Sequence, residues 1–185
     1  MARLPYLNVE DLAPADRDLL ARPINLFRLM VHSPGGARAF HGLGRYIRFE
    51  SPLDARLREM AIIQIGWLTR VEYEFTHHVK IGRDFGVTTS DIRAIIDETA
   101  GRPTSLAPLE RAVLRAAREM THGLAASEQT FAELRQGLDE RAVTDLVIVI
   151  SFYNAVVRFL TTMQIDNEPE YAKLLSEFPF PESPA

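Results

Sequence analysis

Between Arg56 and Phe85 the apolar residues fall into two distinct patterns. Met60 to Leu68 is almost continuously apolar, broken only by Gln64. That predicts a helix buried around most of its circumference. Beyond it, Val71, Phe75, His78, Gly82 and Phe85 recur at helical spacing and mark one face of a second helix. Only Thr69-Arg70-Val71-Glu72 lies between them, so the pair reads as an antiparallel helical hairpin. Thr69 followed three residues later by Glu72 has the capping-box pattern, which places Thr69 at the N-cap of the second helix. Gly86 is positioned to stop that helix.

The flanking patterns are also helical. Residues 1–13 read as an extended arm, Pro14 to Ala21 as a short helix and Pro23 to Val31 as an apolar segment. Ser33-Pro34-Gly35-Gly36 reads as a break. Ala37 to Phe49 follows as a helix with Phe40, Leu43 and Ile47 as its stripe and Arg38, Arg45 and Arg48 off it. Thr88 to Asp91 is an N-cap cluster for a helix from Ser90 to Glu98. Leu109 to His122 is amphipathic, with Leu109, Val113, Leu114, Ala117 and Met120 on one side. Ser127 opens a short helix predicted to bury Phe131 and Leu134. Glu140 to Gln164 contains the β-branched run Leu146 to Ile150, but the pattern continues unbroken to Leu160, so it is a long helix. Ser151, Asn154 and Arg158 share one face of it and point to the site, a neighbouring subunit or solvent. From Glu168 onward the chain reads as a proline-rich tail. The predicted fold class is all-α: one compact helical domain over 1–185, built around the central hairpin, with 1–13 and 168–185 flanking it.

Composition narrows the function. The chain has 185 residues, 46% of them apolar, and a net charge of −4, with no basic signature for nucleic acid. Cysteine is absent, which removes disulfide and thiolate chemistry and fits a cytoplasmic setting. The longest uninterrupted apolar runs are too short to span a bilayer, so no membrane role is expected. His32, His41 and His122 read as surface or capping residues.

The candidate chemistry sits on the hairpin. Glu74 and His78 are four residues apart and can meet. Glu59 lies about ten residues before the turn and His78 about nine after it, roughly 14–15 Å along each axis. The two therefore stand at similar height. An unpaired carboxylate or imidazole on a buried face is costly, so these groups are expected to pair. His77 projects about 100° away from His78 and reads as a surface or interface residue. Two converging ligands are too few for a metal, so no metal and no cofactor are expected. On the residues alone, His78 reads first as a satisfied buried histidine.

Three segments resemble the carboxymuconolactone decarboxylase family, which includes the alkylhydroperoxidase D-like proteins. They are R-x-x-E-M-A-I-I, E-Y-E-F-T-H-H and I-G-R-D-F-G-V-T-T-S-D-I. In the peroxidase branch a Cys-x-x-Cys pair precedes the family histidine; here those places hold Val71 and Glu74. The resemblance thus implies the acid-base part of the site, Glu59, Glu74 and His78, without the redox part. It implies an oligomer, commonly a trimer or hexamer, with the site near an interface. In the decarboxylase branch the substrate is a γ-lactone bearing carboxylates. A small carboxylate- or lactone-bearing molecule is therefore the expected substrate, with Arg70 or Arg83 to hold its carboxylate. The alternative is a non-catalytic ligand-binding or structural oligomer that keeps the fold.

Overall fold

A computed structural model describes residues 1–181. Residues 182–185 of the expected proline-rich tail lie outside it. Helices and turns account for all regular structure among the described residues, with no strand.

The helices are α1 (Asn25–Met30), α2 (Pro34–Arg45), α3 (Ala55–Thr69), α4 (Glu72–Asp84), α5 (Thr89–Thr99), α6 (Pro108–His122), α7 (Glu128–Gly137), α8 (Glu140–Met163) and α9 (Ala172–Glu177). Every residue of α3 from Leu57 to Trp67 is buried. It earns that position by packing against α4, α5, α6 and α8 at once. Met60, Ile62, Ile63 and Ile65 from α3 share the main core with Phe75, Val113, Leu146 and Ile150. A second apolar cluster joins Leu19, Leu20, Leu26 and Met30 of the N-terminal segments to Tyr73 of α4 and to Val156 and Leu160 of α8.

The hairpin turn is tighter than its sequence suggests. Thr69 does not cap α4. It is the last residue of α3, and its hydroxyl donates back to the Ile65 carbonyl at 2.8 Å. Arg70 takes the left-handed conformation at φ 55°, which lets Val71 N–H reach the Gly66 carbonyl. Val71 becomes the N-cap of α4 without a side-chain cap. At the far end Gly86, with φ 90°, stops α4 as expected, and Val87 N–H closes onto the Gly82 carbonyl at 2.8 Å. Asp54 caps α3, accepting from Leu57 N–H at 2.9 Å.

Other expectations shift. Ser33 to Gly36 is not a break: Ser33 is the N-cap and Pro34 the first residue of α2, where a missing N–H costs nothing. Pro14–Leu20 is a 3₁₀ turn. After Arg45 the helix loosens into one π turn, Tyr46–Glu50; of the expected stripe Ile47 is buried but Leu43 is exposed, as is Phe49 at the end of the turn. Leu134 is buried but Phe131 is exposed. By length and composition α8 is apolar enough to cross a membrane, which a count of uninterrupted runs misses. Here its Val143, Leu146, Val149, Ile150 and Val157 pack into the main core. Beyond α8, Tyr171, Leu174 and Phe178 are buried in that same core.

Gly66 sets the separation of α3 and α4. A Cβ there would stand 2.8 Å from the Phe75 backbone nitrogen and 2.9 Å from its Cα. Backbone cannot swing aside as a side chain does. Gly66→Ala gains about 1 kcal/mol of helix propensity. The overpacking nevertheless leaves it destabilised by about 1–3 kcal/mol, read as a lower denaturation midpoint. A midpoint equal to or above that of the parent protein would contradict this packing.

Candidate active site

The hairpin brings Glu59, Glu74 and His78 together. Glu59 is 2% exposed, inside a helix that is otherwise apolar. One carboxylate oxygen, Oε2, accepts from His78 Nδ1 at 2.7 Å. The other, Oε1, accepts from Arg58 Nε at 3.0 Å. On the opposite edge of the imidazole, Nε2 lies 3.3 Å from Glu74 Oε1, close but outside hydrogen-bond alignment. The Tyr153 ring meets His78 edge-on, with centroids 4.8 Å apart.

The environment divides the two carboxylates. Burial pushes Glu59 up, but the His78 and Arg58 charges and hydrogen bonds outweigh it and hold the carboxyl below its ordinary range. Burial also pushes Glu74 up. Only His78 opposes this, Glu59 reinforces it, and the group reaches about 7. Burial pulls His78 down, yet the Glu74 and Glu59 charges together raise it above its ordinary value. Glu59 is therefore the fixed acceptor on Nδ1, and Glu74 faces the Nε2 edge with its pKa raised to about 7.

These groups line a cavity of about 280 Å³ between the two apolar clusters. Phe152 and Tyr153 of α8 form one wall, and Phe27 and Phe40 of the N-terminal layer form another. Arg22, Arg45, Arg48 and Arg58 also line it. The π turn carries Arg48 there.

Arg70 and Arg83 do not line this cavity. Arg70 sits in the hairpin turn and donates to the Pro181 carbonyl at 2.5 Å. Glu59 is some ten helical residues, roughly 15 Å, away along α3. Arg83 is five residues beyond His78, about 140° around the helix. There it pairs with Glu177 at 2.6 Å and donates to Thr89.

His77 is not a surface residue. It is 4% exposed, and its ring is stacked between Tyr73 and Tyr171 at 3.9 and 3.8 Å. Its Nδ1 donates to the Tyr73 carbonyl at 2.7 Å, and its Nε2 stands 3.0 Å from Glu168 Oε2. Glu168 also accepts from the Asn25 N–H and the Tyr73 hydroxyl, tying both chain ends to α4. His41 lines the cavity with its ring against Phe27 at 4.3 Å, and burial pulls its pKa down. The available sequence signals were the i, i+4 spacing of Tyr73 and His77, and the four-residue offset of His41 from its neighbour Arg45. Among the described residues no three or more His, Asp or Glu side chains group as metal ligands.

The Glu74 environment has a thermodynamic consequence. Its pKa is about 7 in the folded protein against an ordinary 4.5. Between those values the folded state keeps a proton that the unfolded state releases, so stability falls as pH rises through this window. Glutamine cannot ionise. Thermal melts should show Glu74→Gln gaining on the parent protein from pH 5 to pH 8, by a few degrees. A difference that is constant or shrinks with pH would rule this environment out.

Residues 34–119 match the Carboxymuconolactone decarboxylase family. No curated protein sequence matches the chain. Among solved structures, the alkylhydroperoxidase AhpD core of an uncharacterized peroxidase-related protein from Ralstonia eutropha JMP134 superposes with TM-score 0.77 at 20% identity, covering 92% of this chain and 94% of that one. A peroxidase-related protein from Silicibacter sp. TM1040 gives 0.74 at 19%, covering 91% and 92%. The debrominase Bmp8 in complex with 2,3,4-tribromopyrrole gives 0.75 at 18%, covering 96% and 99%. At these identities the likeness is one of fold. The chain therefore has the AhpD-like fold, and its residues 34–119, which contain no cysteine, are similar to the carboxymuconolactone decarboxylase family.

Proposed function

We propose that this protein performs acid-base chemistry, decarboxylation or a related proton transfer, on a small carboxylate- or lactone-bearing organic molecule, without a cofactor. The observation that carries this is the Glu59–His78–Glu74 chain opening on a cavity with cationic and aromatic lining. A packed triad with no cavity would favour a scaffold that had lost its chemistry. The structurally similar debrominase binds 2,3,4-tribromopyrrole, a small flat molecule. The size and aromatic walls of this cavity suit a ligand of that class. With no cysteine in the sequence, thiol peroxidase chemistry has no nucleophile here.

In this reading, loss of carbon dioxide leaves an enolate stabilised by cationic side chains of the cavity. His78 Nε2–H then protonates the carbon. Glu59, accepting at Nδ1, holds the ring's orientation and tautomer, and Glu74 returns a proton to Nε2. We extend the same proposal to a cytoplasmic homo-oligomer. Val147 and Ile148 of α8, apolar and half-buried in the single chain, offer a contact surface.

A panel of lactones, β-keto acids and unsaturated carboxylic acids, assayed for carbon dioxide release and solvent deuterium incorporation, tests the proposal. His78→Gln should cut turnover about 10²–10⁴-fold with the fold intact, because glutamine hydrogen-bonds but does not titrate near neutral pH. Glu59→Gln should cost less. Unchanged turnover in His78→Gln, or no reaction across the panel, would reject the proposal.

A further inference from the structure

The buried polar atoms that lack hydrogen-bond partners are concentrated around one place. Among the described residues they are His41 Nε2, Arg48 Nε, Arg58 Nη2, Glu74 Oε1, and the facing pair His77 Nε2 and Glu168 Oε2. His77 Nε2 and Glu168 Oε2 stand 3.0 Å apart and serve each other; the other four belong to residues lining the cavity. Leaving a buried polar group unpaired costs about 1–3 kcal/mol, more when it is charged. Such a cluster is a set of groups shaped for something other than the protein's own side chains.

Two of these atoms are guanidinium nitrogens, which only donate and stay charged. Arg58 and Arg48 stand 4.7 and 5.5 Å from the Phe85 ring centroid, and Arg58 Nη1 donates to the Arg48 carbonyl at 3.2 Å. The two cations are therefore neighbours. Their charges are not equivalent. Arg58 is committed to Glu59 through Nε. Arg45 is committed to Glu50 at 3.1 Å. Arg48 makes no ion pair among the described residues, and its charge is felt by His78.

We propose that Arg48, assisted by Arg58 Nη2, is the anion-binding site of this cavity and selects a planar monocarboxylate with an apolar, flat body. This deepens the acid-base proposal, on which it rests for its meaning, by naming the ligand class. Two carboxylate oxygens match two neighbouring guanidinium donors. Arg22 also lacks an ion pair among the described residues but is exposed, so Arg48 is the better-covered uncompensated cation, and it balances one negative charge. A second carboxylate in the cavity would meet Glu59 and Glu74. Phe27, Phe40, Phe152 and Tyr153 supply apolar walls for a flat body. At about 280 Å³ the space suits a ligand of roughly one ring.

Calorimetric titration of the 185-residue chain at pH 7 with benzoate, benzamide and phthalate separates the parts of this proposal. Benzoate should bind. Benzamide, which lacks the charge, and phthalate, which doubles it, should each bind at least ~10-fold more weakly, and Arg48→Gln should lose at least ~10-fold for benzoate alone. Arg48→Lys should keep part of the affinity, since it restores charge without the fork. No binding of benzoate, equal binding of benzamide, tighter binding of phthalate, or unchanged affinity in Arg48→Gln would each overturn the assignment. If Arg48→Gln does not fold by circular dichroism, the lysine variant and the three-ligand comparison decide. These titrations need no turnover. Benzoate binding lost in Arg48→Gln, together with no reaction across the substrate panel, would keep the anion site and reject the acid-base proposal. The reverse result would do the opposite.

Discussion

A carboxylate held at 2% exposure inside an apolar helix costs several kcal/mol if it stands alone. Glu59 avoids that cost by taking Arg58 on one oxygen and His78 on the other. Both contacts demand accurate placement. Arg58 must also reach the preceding π turn, where the carbonyls of Ile47 and Arg48 accept from its Nη1. His78 must arrive from the neighbouring helix at the right height. The close approach of Gly66 to Phe75 and the left-handed Arg70 deliver that height. The hairpin and the charge network therefore specify one another: the turn places the imidazole, and the unpaired alternative is too costly to populate.

The same network separates two chemically identical groups. Glu59 has two strong donors and stays ionised, whereas Glu74 has one poorly aligned neighbour and holds its proton to about 7. Environment alone keeps one carboxyl ionised and moves the other's titration to about 7.

Much of this was legible in the chain itself. Counting residues from the turn placed Glu59 opposite His78 because helical rise is constant. Gly86 was recognisable because few residues adopt positive φ. What escaped depended on partners far away in sequence. The covering of His77 comes from Tyr171 and Glu168, some ninety residues on. Thr69 carries a capping pattern, but α3 runs one residue further and uses the hydroxyl internally. Arg70 and Arg83 have the right charge on the right hairpin, yet rotation and distance along the helices take them elsewhere. Arg48 sits on a segment whose helical phase slips at the π turn, so a regular helical wheel places it incorrectly.

The cavity is assembled from unequal sources. Glu59, Glu74, His78 and Arg48 all lie within the stretch 34–119 that matches the family. Ile24, Leu26, Phe27, Phe152 and Tyr153, which close the space around them, lie outside it. The buried charged groups thus lie inside this stretch, while a large part of their container is written outside it. Substitutions in the container can reshape the space while leaving Glu59, Glu74 and His78 untouched, so two proteins could share this stretch and still admit molecules of unrelated shape.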